Sequence, residues 1–401
     1  MFWTALTLQL GYNATLVTIG ATLLGIAAGV TGTFLYLRKR ALVSDAISHA
    51  TLPGVGIAFM LMVMLGGDGR ALPGLLLGAA VSSWIGLLCV SWLTRFTRLS
   101  EDAAIGAVLS VFFGFGIVLL TVIQTMGAGR AAGLEGFLLG STAGMLFNDA
   151  LVIAGGGALT LLAVLILRRP MTLLAFDPEY AASRGVNVGR MDLAIMALAL
   201  AVTVIGLKVV GLILIVAMLI IPPVTARFWT ERTDHMVLIS GLCGGLAAWV
   251  GASLSAVAPA MPTGPIIVLS SFGLFILSLL LAPNRGVLAV YLRHVRFQRR
   301  VHMRQGLLAL AQGQPIYEAF TVRLLKRAGL AHADGVPTDD GRARAAKALR
   351  DEKRWELVRA DQAFESAAAL YDGLRDIETV LTGDQISEID QRIGGPQGVT
   401  S

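Results

Sequence analysis

Blocks of apolar residues, each long enough to cross a bilayer and parted by short polar clusters, fill the chain up to Pro283, where the pattern stops. A helix needs about 20 apolar residues to span the hydrocarbon core. Segments of that size fall nine times, at roughly 14 to 36, 43 to 66, 72 to 94, 103 to 126, 149 to 167, 191 to 207, 209 to 226, 236 to 257 and 265 to 282. The pattern predicts an all-α polytopic membrane protein with about nine transmembrane helices. Around Leu207, Lys208 and Val209, two short spans and one broken helix fit equally, and broken helices are tolerated where they line a cavity.

Past Pro283 the chain turns polar, with a basic run through Arg293, His294, Arg296, Arg299 and Arg300. Such a run fits a helix leaving the membrane beside anionic headgroups. Short helices follow, interrupted by the turn-rich stretch 333 to 341, and Leu324, Leu325, Leu330, Ala345, Leu349 and Trp355 can supply a small core. The expected domains are a membrane domain over 1–283 and a small helical domain over 284–401.

Composition agrees: 55% of residues are hydrophobic, 14% are charged and the mean hydropathy is +0.73. Charge adds an orientation, because short cytoplasmic loops concentrate Lys and Arg. Every second connection holds basic residues: Arg38, Lys39 and Arg40; Arg95 and Arg98; Arg168, Arg169, Arg184 and Arg190; Arg227 and Arg232. The alternate connections hold only Arg70, Arg130 and Lys208. The bias places the N-terminus outside, with the C-terminus and residues 284–401 in the cytoplasm. The formal charge of +6 then reflects topology and a basic tail, and nucleic acid is not an expected partner. The first apolar run lacks a basic leader and has full spanning length, so no cleavable signal peptide is expected. Cys89 and Cys243 both fall inside apolar spans and read as packing residues.

Candidate chemistry concentrates in one stretch, Ser44-Asp45-Ala46-Ile47-Ser48-His49. Asp45 and His49 stand at i and i+4 and leave the same helix face about one turn apart. Ionisable groups within a bilayer are expensive and usually face a pathway or a partner. A carboxylate beside a neutral imidazole suits Mn²⁺, Fe²⁺ and Zn²⁺ alike. The competing reading makes Asp45 a helix cap and His49 a packing residue.

A second candidate is the polar loop from Arg168 to Arg190. Phe176-Asp177-Pro178-Glu179-Tyr180-Ala181 onward reads as a short helix with proline in its first turn, acids at its start and Gly185 at its end. A capped helix in such a loop is a docking element, or else an ordinary solvated connection. Glu101 and Asp102 touch the same partner or simply cap the following helix. Asp149 reads as a cap, Lys208 as an interface anchor, and Arg130 with Glu135 as part of an external loop. Gly155, Gly156 and Gly157, like Gly241, Gly244 and Gly245, fit close helix packing. No GxxxxGK[ST] sequence occurs, so none of these glycines is a phosphate loop for nucleotide hydrolysis and the chain is not expected to be an enzyme.

The run from Arg40 to Val55 resembles the signature of metal-type ABC permeases, the integral subunits of bacterial zinc, manganese and iron importers. Ser100-Glu101-Asp102-Ala103, Phe176-Asp177-Pro178-Glu179-Tyr180-Ala181 and the stretch from Gly211 to Pro223 resemble the same family in the same order. The resemblance implies a multi-pass subunit of the bacterial inner membrane. Its partners would be membrane lipids, ABC ATPase subunits, a periplasmic metal-binding protein and a second permease, identical or paralogous. Asp45 and His49 of two permeases would converge on one axis and hold the ion briefly. Phe176, Asp177, Pro178, Glu179, Ala181 and Gly185 would form the coupling helix that docks on the ATPase. No permanent cofactor is implied. Segments of the tail near Gly341, Arg350 and Asp376 resemble iron- and manganese-dependent repressors, with Glu352 and Thr379 standing where those proteins place metal-binding histidines. That suggests a degenerate winged-helix-like domain used for assembly or regulation. It also tilts the expected cargo toward Mn²⁺ or Fe²⁺, with Zn²⁺ admitted. A gradient-driven secondary transporter and a membrane-tethered metal regulator are the alternatives.

Overall fold

Lipid offers no hydrogen bonds, so a backbone that crosses it must satisfy itself, as a helix does. The computed structural model describes residues 2–9, 11–67, 69, 71–125, 147–257, 262–332 and 335–394. Among them regular structure is helical, apart from one isolated antiparallel bridge between Ala331 and Pro337. Contacts divide the chain into two compact units, Met1–Ala289 and Val290–Ser401.

In the first unit, α1 (Phe2–Leu6) precedes α2 (Tyr12–Leu37), α3 (Ala41–Met64), α4 (Leu72–Phe96) and α5 (Glu101–Thr125). Then come α6 (Phe147–Phe176), the short α7 (Pro178–Ser183), α8 (Val188–Val210), α9 (Leu212–Arg227), α10 (Thr233–Val257) and α11 (Thr263–Leu281). Among the described residues eight helices are long and apolar enough to cross a membrane: α2, α3, α4, α5, α6, α8, α10 and α11. The segment expected at 209 to 226 is α9, a shorter helix of 16 residues. Gly211, at φ +82°, separates it from α8. Ile215 of α9 lies against Gly206 of α8. In a continuous helix those residues would be about 13.5 Å apart along the axis, so the chain bends back at Gly211. Arg70, Arg130 and Glu135 lie outside the described residues, as does the side chain of Lys208.

α2 is the centre of this unit. It packs most extensively on α10 and also touches α6, α8 and α9, while α3 packs on α4 and α5. Small residues set the closest crossings: Gly25 of α2 meets Gly244 of α10, and Gly54 of α3 meets Gly78 of α4. At each of these a Cβ would run into the facing backbone. Ser240 reinforces the first crossing by donating its hydroxyl to the Gly29 carbonyl at 2.7 Å. Both cysteines are free and half-buried.

The second unit takes up most of α12 (Val287–Ala311), then α13 (Ala319–Arg327), α14 (Asp339–Ala360), α15 (Glu365–Ala368) and α16 (Gly383–Gly394). Trp355 and Val358 are buried with Phe364, Ala367, Ile377, Leu381 and Ile389, while Leu325 and Leu330 form a smaller cluster with Ala331. Ala345 is also buried, and Leu324 and Leu349 are half-buried. Glu352 is committed to structure: it pairs with Arg304 and accepts a hydrogen bond from Tyr371 at 3.3 Å.

Four aspartates of this unit are held below the ordinary carboxylate range, Asp339 among them through its hydrogen bond from Arg342. Asp390 is lowered by its hydrogen bond from Arg354, Asp361 by the Ala363 amide and Arg392, and Asp372 by the Leu374 amide. An acid with a lowered folded pKa contributes stability that is present above its unfolded value and lost as pH falls through the folded one. Asp351, raised by burial, has the opposite sign, so the four lowered groups set the direction. The unit should therefore loosen as pH falls below about 4. Fluorescence of Trp355, read against Trp355→Phe, should redshift there and hold steady from pH 5 to 7.

Candidate metal path and coupling helix

α3 starts abruptly, because Arg40 at its N-cap makes no side-chain cap. Its start is held from outside: Arg40 pairs with Glu101 at 2.8 Å and with Asp192 at 3.3 Å. Asp192 also receives a two-pronged contact from Arg38, at 3.0 and 3.1 Å, and Arg38 reaches the Leu174 carbonyl at 3.0 Å. The Arg38 and Asp192 side chains are only 15% and 13% exposed. Forked arginine–carboxylate pairing in so sheltered a place is a strong joint. It ties the ends of α2, α3 and α5 to the start of α8.

One turn into α3, Asp45 and His49 lie on one face, with His49 Nε2 at 3.4 Å from Asp45 Oδ1. The Asp45 side chain is 39% exposed and that of His49 20%. Phe113 of α5 meets the imidazole edge-on at 5.0 Å between centroids. His49 Nδ1 is buried without a hydrogen-bond partner among the described residues. A buried ring nitrogen left unsatisfied costs free energy in a purely structural role. Pro53 adds a further oxygen: it has no N–H, so the helix ladder leaves the His49 carbonyl without its usual donor four residues on. A carboxylate, an imidazole and a freed carbonyl are thus gathered within about two turns. No group of three or more His, Cys, Asp or Glu able to hold a metal occurs among the described residues, so one chain offers at most a partial ligand set.

α7 is shaped by local signals. Asp177 accepts the Tyr180 amide at 2.9 Å, Pro178 opens the helix and Glu179 sits in its first turn. Gly185, at φ +81°, closes it: its N–H donates to the Ala182 carbonyl and that of Val186 to the Ala181 carbonyl, each at 3.0 Å. Ala181 is fully buried and anchors the helix, while Phe176 and Tyr180 are exposed. The helix presents an exposed aromatic and charged face, on which the Arg184 guanidinium lies 5.9 Å from the centre of the Tyr180 ring. Asn187 then caps α8 by accepting the Arg190 amide at 3.0 Å, five residues before Asp192.

Reasoning from sequence brought Asp45 and His49 together correctly in space but missed Asp192. Its one signal was an acid at the start of an apolar span. Glu101 proved to be the partner of Arg40. Asp149 is buried in the first turn of α6.

Residues 12–282 match the ABC 3 transport family. The chain belongs to that family. Among curated proteins it is 43% identical over 307 residues to the manganese transport system membrane protein MntC of Bacillus subtilis, covering 76% of this chain and 69% of that one. It is 37% identical over 277 residues to the zinc transport system membrane protein TroC of Treponema pallidum, covering 69% of this chain and 91% of that one. Among solved structures it is similar to PsaBC from Streptococcus pneumoniae in complex with Fab, with a TM-score of 0.62 and 30% identity, covering 73% of this chain and all of that one. A putative metal-chelate type ABC transporter in an inward-facing conformation shares the fold, with a TM-score of 0.52 and 16% identity over 66% of this chain and 84% of that one.

Proposed function

We propose that this chain is the permease subunit of an ABC importer and passes a divalent transition metal into the cytoplasm along a path lined by Asp45 and His49. The observation that carries the reading is His49 on an apolar helix, its Nε2 facing the Asp45 carboxylate and its buried Nδ1 unsatisfied. Two copies of the chain, or this chain and a paralogue, would contribute two such pairs, enough to strip water from an ion and few enough to release it. Named relatives carry manganese and zinc, and none of those named here carries iron, so manganese and zinc are the expected cargo. ATPase subunits and a periplasmic metal-binding protein complete the importer in the bacterial inner membrane. Uptake of radioactive manganese, with zinc as competitor, tests the whole reading.

Nine crossings, with the N-terminus outside and residues 284–401 inside, remain the orientation favoured by the basic loops, α9 then being the ninth. The repressor resemblance of the tail supports a regulatory or assembly role. Occupation of Glu352 by Arg304 argues against metal sensing there. A gradient-driven transporter is disfavoured because Asp192 and Glu101, acids at the starts of spans, are already paired with arginines.

The exposed face of α7 is the docking element for the ATPase in this reading, with Phe176, Asp177, Pro178, Glu179, Ala181 and Gly185 building it. Asp177→Ala removes a cap worth about 1 kcal/mol and should weaken coupling, seen as lower transport per ATP hydrolysed. From α7 the chain runs directly into α8, where Asp192 grips Arg38 and Arg40. Asp192→Asn should depress uptake while leaving ATPase binding intact, and unaltered uptake would show that the ion cluster is only a brace.

A further inference from the structure

A cavity of about 610 Å³ opens beside α4 and the start of α8. Its wall is apolar and aromatic: Ile85, Leu88, Trp92, Phe96 and Leu193 line it. Arg95 and Arg190 also line it, and no acidic side chain does. Neither guanidinium has a hydrogen-bond or ion-pair partner among the described residues. Arg95 is drawn close to the α8 backbone at Gly189, where a Cβ would stand 3.0 Å from its Nη2. Trp92 and Phe96 are largely exposed, with ring centroids 6.1 Å apart.

We propose that this cavity is a binding site for an anionic phospholipid. Arg95 and Arg190 would hold the headgroup phosphate, and an acyl chain would lie along Leu88 and Ile85 beneath the Trp92 ring. Three features converge on that occupant. Two unpaired arginines on one cavity call for an anion, and guanidinium forks match phosphate oxygens. The groove from Phe96 to Ile85 runs about 16 Å along α4, a length suited to an alkyl chain and far longer than a free phosphate needs. A tryptophan and a phenylalanine beside arginines at the end of a span mark the headgroup level, and basic pockets between membrane helices select anionic lipids. Bound there, the lipid bridges the end of α4 and the start of α8, four residues beyond α7. The proposal rests on the membrane placement of α4 and α8 and is independent of the metal reading.

Brominated phosphatidylglycerol, with matched brominated phosphatidylcholine, provides the test on the purified full-length permease without its ATPase. Phosphatidylglycerol should quench tryptophan fluorescence more strongly than phosphatidylcholine, and the excess should vanish in Trp92→Phe. Each of Arg95→Gln and Arg190→Gln should weaken phosphatidylglycerol binding roughly fivefold. Ser91→Phe, which puts a bulky ring into the cavity wall, should abolish the excess while the protein still elutes as wild type on size exclusion, which separates loss of the site from misfolding. Equal quenching by the two lipids would overturn the proposal. So would full lipid selectivity in the double arginine variant. Loss of ATPase co-purification in that variant, with lipid selectivity unchanged, would identify the cavity as a protein-docking groove instead.

Discussion

Cells that make Asp45→Ala or His49→Ala together with the partner subunits should take up manganese no faster than cells lacking the permease. Each substitution removes one of two ionisable ligands, and two copies in the importer would double the loss at a shared site. With a single ligand type left on each chain, nothing offsets the cost of dehydrating a doubly charged ion within the bilayer. The replaced side chains are small and partly exposed, so folding and assembly with the ATPase should survive, as pull-down from membranes would show. Zinc should compete for the wild-type site at least as well as manganese, because imidazole and carboxylate bind it more tightly. Normal uptake by His49→Ala would return the imidazole to packing against Phe113 and remove it from the path.

Gly29→Leu should leave almost no folded permease in the membrane. At this α2–α10 crossing the obstacle is the Ser240 backbone, and the Gly29 carbonyl receives the Ser240 hydroxyl there. Ordinary overpacking costs about 1–3 kcal/mol because side chains yield. A backbone cannot yield without separating α2 from α10, the most extensive pairing in the unit. Gly155→Leu on α6 is the control: open space surrounds that glycine, and the variant should accumulate normally. Monodisperse yield on size exclusion distinguishes the two, and equal yields would mean the helices part easily.

Much of this architecture was legible in the chain because membrane spans advertise themselves. Apolar runs marked the places of the eight long helices among the described residues, while the ninth expected span, at 209 to 226, is the shorter α9. The Asp45/His49 pair was legible because both residues share one helix, where spacing alone dictates the face. The α7 helix was equally local, its cap, proline and terminal glycine all lying within nine residues. Long-range partners left no such trace. Arg38 finds Asp192 across 154 positions, and Arg304 finds Glu352 across 48, through packing that no local pattern encodes. The vacant Nδ1 of His49 likewise depends on what α5 and its neighbours fail to offer.

The two fixings of α3 carry a mechanical consequence. One end is gripped at Arg40 by acids on two other helices, and the middle is pinned where Gly54 crosses Gly78. The intervening 14 residues, about 21 Å of helix, contain both Asp45 and His49. The hydrogen-bond ladder of that segment lacks the bond that Pro53 cannot give to the His49 carbonyl, so the stiff part is the stretch from Arg40 to His49. A displacement at Asp45 and His49 is therefore expected to arrive through the gripped end, and the grip belongs to α5 and α8.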